Sequence, residues 1–182
     1  MSIFLTFIAE IALFVILYYS INRQIKNSRK IVSIMLIGYL AVVLIITLGI
    51  RSYDPEVEVN LSLFSTYKMM FQRTVDYLKI ANYAKAWQEF IWIGYVSWSC
   101  VILNVLLFVP LGYLLPLSFN KLEKWYIVLV IGIGLSAAIE TAQLLTHRGW
   151  FDVDDIFHNG LGAFIGWLCY RKWLRNTILS IG

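Results

Sequence analysis

The stretch RGWFDVDDIFHNGLGAFIG, residues 148–166, sets Arg148 ahead of three carboxylates, Asp152, Asp154 and Asp155. An arginine holds a carboxylate or a phosphate through two parallel hydrogen bonds. A carboxylate accepts hydrogen bonds or acts as a general acid or base. Upstream, Glu140 and Gln143 are three residues apart, on nearly one face of a helix. Asn104 stands in an apolar run and needs a hydrogen-bond partner. These residue types make Asn104, Glu140, Gln143, Arg148, Asp152, Asp155 and Asn159 the candidate ligand-binding set. If the chain is a catalyst, Glu140 or Asp155 is the candidate base, with His147 or His158 assisting. Asp152 also suits a helix N-cap, and Arg148 is expected to pair with one of the aspartates.

Hydrophobic helices must carry these groups. Of 182 residues, 60% are hydrophobic and 14% charged. Soluble domains average about 45–50% and about 25%. The mean hydropathy is +0.73. The fold class expected is therefore an all-α membrane protein of about five transmembrane helices. The spans are placed at about 3–21, 31–50, 90–115, 125–146 and 156–173. The first lacks the basic start and cleavage site of a signal peptide and is read as retained. Cys100 and Cys169 lie in apolar runs and are read as core residues, with neither disulfide nor metal expected. The whole chain, 1–182, reads as one membrane domain with no repeat or soluble module.

Charge sets the expected orientation. One side collects nine basic residues against Glu123 alone, from the 22–30 link, the 118–124 link and the tail. The other side holds six basic and eight acidic residues. The N-terminus is thus expected outside and the C-terminus in the cytoplasm of a bacterial cell. Aromatics near the inner boundary, among them Tyr18, Trp125, Trp167 and Tyr170, fit an interfacial belt. Glu140 then lies ~9 Å inside the outer end of its helix and Glu10 at ~10 Å. A carboxylate at such depth costs roughly 2.5–3.5 kcal/mol unless paired, protonated or hydrated.

Residues 51–89 form the one sizeable extracytoplasmic segment. Its apolar positions Leu61, Phe64, Phe71, Val75 and Leu78 recur at helical spacing, so an amphipathic surface helix is expected. In the last span Asp155, Asn159, Gly162 and Gly166 are four, three and four apart and share one stripe. Its lower half, Gly162 to Gly166, permits close helix contact; its upper half is polar. Pro110 and Gly112 predict a kink or break in the third span.

Four motifs, in order, resemble the VanZ-like family of bacterial membrane proteins. They are NLxxF at Asn60–Phe64, NxLLFxPLG at Asn104–Gly112, SxxIExxQ at Ser136–Gln143, and RxxFDxDD with NxxGA at Arg148–Ala163. Leu63 stands where the family often has proline. The resemblance implies an integral envelope protein and a link to teicoplanin resistance. It implies no established reaction, cofactor or substrate.

Two classes of function follow. In the first, an outward polar pocket binds a lipid head group, a cell-wall precursor or a lipoglycopeptide tail. Its walls would be Glu140, Gln143, Arg148, Asp155 and Asn159, and its floor the glycine stripe. In the second, the chain is an intramembrane enzyme on a lipid-linked, phosphate-bearing substrate, with Arg148 orienting the phosphate. A proton-coupled transporter using Glu10 and Glu140 is less attractive without an inverted repeat. The aspartate spacing does not fit an EF-hand, and no zinc HExxH or serine elbow is present. No cofactor is expected. The partners expected are membrane lipids and such lipid-linked molecules, not nucleic acid.

Overall fold

The computed structural model describes residues 29–79 and 83–179. The expected first span, with Glu10 and the basic residues Arg23 and Lys26, lies outside the described residues. Among the described residues the fold is all-α apart from one short strand pair. Helix α1 runs Arg29–Leu44 and ends in a π-helical turn, Ile45–Gly49. Helix α2 is Ser65–Lys79, α3 Tyr83–Ser118, α4 Trp125–Leu145 and α5 Val153–Leu179. Strands β1, Val59–Asn60, and β2, Phe151–Asp152, pair in parallel.

This is a membrane protein. Among the described residues three helical stretches are long and apolar enough to cross a bilayer: Arg29–Gly49, Trp98–Ser118 and Trp125–Leu145. Their outer faces carry Ile34, Ile37 and Val130 exposed, surface that belongs against lipid. The described part of the fifth expected span lies within α5, whose first turn holds Asp154 and Asp155. Helix α3 is longer than expected, beginning at Tyr83 and presenting Trp87 and Tyr95 outward.

The core is the seam where α3 meets α5, backed by α1 and α4. Phe108, Leu111, Leu114, Val128 and Ala163 are fully buried there. Glycine sets the seam's closeness. A Cβ on Gly162 would fall 2.1 Å from the Val105 carbonyl oxygen, and one on Gly166 2.0 Å from that of Val109. Close helix contact at the Gly162–Gly166 step is what the spacing predicts.

The expected break at Pro110 does not occur: α3 is continuous through Pro110 and Pro116. Pro110 removes one intrahelical bond and crowds the preceding turn. The carbonyl that loses its donor is that of Leu106; the Tyr39 hydroxyl donates to the next one, Leu107, and ties α1 to α3 at that turn. The cysteine expectation also fails. Cys100 and Cys169 are free but exposed, not core residues. Exposure of this kind within an apolar run is not revealed by periodicity alone.

Candidate functional site

The end of the bundle where α1 and α4 finish and α5 begins is organised by helix ends that need capping. The π turn leaves the last carbonyls of α1 without intrahelical donors. The Gln143 amide donates to the Thr47 carbonyl at 3.0 Å. Arg148 Nη1 donates to Leu48 at 2.7 Å and Gly49 at 3.3 Å. Arg148 therefore does not pair with the aspartates as expected. The converging carbonyls at a helix C-terminus carry negative partial charge and attract a cation.

The start of α5 is capped from its own strand: Asp152 Oδ1 accepts the Asp154 N–H at 2.9 Å. Glu140 Oε2 accepts the Asp152 N–H at 3.1 Å, which fixes β2 to α4. Asn60 donates to Asp152 Oδ2 at 3.2 Å, across the strand pair. Asp154, 2% exposed, accepts the Phe64 N–H and, at 3.3 Å, the Ser65 hydroxyl. Phe64 is left-handed, φ 61°, so the turn into α2 is held in an unfavourable conformation by that carboxylate. The Tyr67 hydroxyl meets His158 Nε2 at 2.9 Å. Burial, with Asp154 nearby, pushes the Tyr67 phenol above its ordinary value, so it stays neutral.

Beside these clamps lies a cavity of about 640 Å³ between α1, α3, the 148–152 segment and the first turn of α5. Its polar lining includes Arg51, Ser52, Asp54, Asn104, Arg148, Asp152 and Asp155; its apolar lining includes Ile46, Ile50, Leu103 and Leu107. Asn104 donates to Asp155 Oδ1, which joins α3 to α5 at the cavity wall. Four of the seven candidate ligand-binding residues thus line this space: Asn104, Arg148, Asp152 and Asp155. Glu140, Gln143 and Asn159 are buried outside the lining. Glu140 and Gln143 tie the loop and α1 to α4, and Asn159 donates to Ser136 at 2.8 Å. Pro110, Gly112, Gly162 and Gly166 lie outside the lining too. His147 packs against Tyr53, and neither histidine faces the cavity. Among the described residues no three His, Cys, Asp or Glu side chains converge as a metal site.

Sequence reasoning missed Arg51, counted there only as loop charge. The available signal was its place one residue past an apolar span, where a long side chain can turn back along the helix end.

The sequence profile of VanZ/LLP1 matches residues 3–176. The chain belongs to the VanZ/LLP1 family. One relative is "Protein VanZ" of Enterococcus faecium, 32% identical over 90 residues, covering 43% of this chain and 53% of that protein. The match thus spans about half the length of that relative. No solved structure matches. The motifs that carry the family resemblance fall on the clamps and the cavity wall. NLxxF supplies Asn60 and Phe64, and the arginine–aspartate motif supplies Arg148, Asp152, Asp154 and Asp155.

Arg148→Ala is expected to act on the fold first. It leaves the Leu48 and Gly49 carbonyls without donors, a loss of ~1–3 kcal/mol. Thermal unfolding in detergent should show a lower midpoint, partly restored in Arg148→Lys. An unchanged midpoint would mean the cap contributes nothing.

Proposed function

We propose that this family member binds an amphiphile from the outer leaflet in the 640 Å³ cavity and thereby modulates the envelope's response to lipid-tailed antibiotics such as teicoplanin. The observation that carries this reading is the division of the cavity wall. Charged and polar groups from Arg51, Asn104 and Asp155 face the same space as Ile46, Ile50, Leu103 and Leu107. Pockets of about 300–1,000 Å³ with few polar groups and apolar walls are typical of small-ligand sites. A head group, a cell-wall precursor or a lipoglycopeptide tail offers the same pairing of polar and apolar parts. The bias of basic residues supports five passes with the N-terminus outside, which turns the cavity outward.

The test is teicoplanin susceptibility of a sensitive bacterial host carrying each variant at matched membrane levels. Wild type should raise tolerance, and Asn104→Ala and Asp155→Asn should remove it. Glu140→Gln should keep most of it, because the glutamine oxygen still accepts the Asp152 N–H. Loss in Glu140→Gln with the fold intact would point instead to a carboxylate base and a lipid-linked reaction. Tolerance unchanged in Asn104→Ala and Asp155→Asn would overturn the site.

A further inference from the structure

The cavity's charges are not equally available. Arg148 is committed to two carbonyls. Both Asp152 oxygens accept hydrogen bonds, Oδ1 from Asp154 and Oδ2 from Asn60. Asp54 accepts the Glu56 N–H. Asp155 uses only Oδ1, toward Asn104. Arg51 has no hydrogen-bond acceptor among the described residues, and no ion pair within 4.0 Å joins it to Asp152 or Asp155. A cation and a carboxylate oxygen thus face one cavity without touching each other.

The wall beside Arg51 is built to admit it. A Cβ on Gly149 would fall 2.7 Å from Arg51 Nη1 and 3.3 Å from Gln143 Oε1. Gln143 is 1% exposed, and that oxygen has no partner. Glycine therefore leaves room for the guanidinium beside an unsatisfied buried acceptor. Separated opposite charges at the rim of a low-dielectric space are costly unless something bridges them.

Resting on the reading above, we propose that the ligand's head group is a zwitterion, a phosphate held by Arg51 and a primary ammonium held by Asp155: an aminophospholipid. Arginine matches a phosphate's paired oxygens. Asp155 needs an N–H donor, which a quaternary ammonium lacks. Quaternary ammonium is recognised by aromatic cages, and Trp150 is the only aromatic lining residue among those described.

Cys100 lines the cavity and is exposed, so it reports occupancy. The experiment follows maleimide alkylation of Cys100 in the Cys169→Ser protein in maltoside micelles. Lysophosphatidylethanolamine, lysophosphatidylcholine, lysophosphatidylglycerol and free phosphoethanolamine are each titrated. The ethanolamine lysolipid should protect Cys100 at a concentration roughly tenfold below the other two lysolipids, the size of one lost charge-assisted contact. Arg51→Ala and Asp155→Asn should each erase that preference. Free phosphoethanolamine should protect more weakly than the lysolipid, because it lacks the chain that the apolar wall takes. Protection by the free head group as strong as by its lysolipid would overturn the lipid part of the proposal. Equal protection by all three lysolipids would overturn the zwitterion and leave the amphiphile-binding reading standing. No protection by any lysolipid would overturn both.

Discussion

Gly112→Ala is expected to deprive this protein of a stable fold. A Cβ at that position would sit 1.9 Å from the Ala163 carbonyl oxygen and 2.7 Å from its carbon. These are backbone atoms of a facing helix, so no rotamer change relieves the clash. Helices α3 and α5 would have to part by about 1 Å or more, opening the seam around Phe108 and Leu111 along its length. Overpacking a well-filled core costs typically ~1–3 kcal/mol, occasionally more. A backbone-to-backbone clash belongs at the upper end or beyond, against a total stability of ~5–15 kcal/mol. Gly134→Ala in α4 is the matched control, since a Cβ there meets nothing within 4 Å. It should be neutral or stabilising by up to ~1 kcal/mol. The measurement is monodispersity and melting temperature in detergent. If Gly112→Ala melts with wild type, the α3–α5 seam is not as close as described.

The seam was legible in the sequence because one helical period generates it: Asp155, Gly162 and Gly166 all meet α3, although Asn159 of the same stripe turns to Ser136 of α4. The α-helical class and the spans of α1 and α4 followed from apolar run length for the same local reason. The partners of the polar groups were not legible, because they depend on distant segments. Asn104 needed a partner, and only the packing of α3 on α5 makes it Asp155. Arg148 has three aspartates close in sequence, yet it donates to carbonyls a hundred residues away. The π turn at Ile45–Gly49 creates those acceptors, and nothing in IITLG announces it. Glu140 was singled out for the cost of a carboxylate at its depth, but cost alone does not say which group receives it. Arg51 was overlooked because its role depends on a missing side chain at Gly149, on another loop.

Asp154→Ala should remove function although Asp154 does not line the cavity. Its buried carboxylate takes the Phe64 N–H and the Ser65 hydroxyl, and so fixes the turn that ends the 51–64 segment. Arg51, Ser52 and Asp54 on that same segment form one side of the cavity. Hydrogen bonds to a charged group contribute ~1.5–3 kcal/mol each; besides them the segment is held by the two-residue strand pair, the Asn60–Asp152 bond and the Asp54 N–H to the His147 carbonyl at 2.7 Å. Alanine leaves the left-handed Phe64 without its acceptor, and the strain at that residue then favours release. Asp154→Asn keeps one acceptor oxygen and should fall between alanine and wild type. Tryptic cleavage at Arg51 and Lys68 in detergent should speed up in that order, with α3 to α5 still folded, and tolerance to teicoplanin should fall in parallel. An Asp154→Ala protein that is cut no faster than wild type and protects its host fully would sink the clamp. Because the cavity's cation is carried by a segment that α5 holds at a distance, a residue outside the lining can decide whether the site exists.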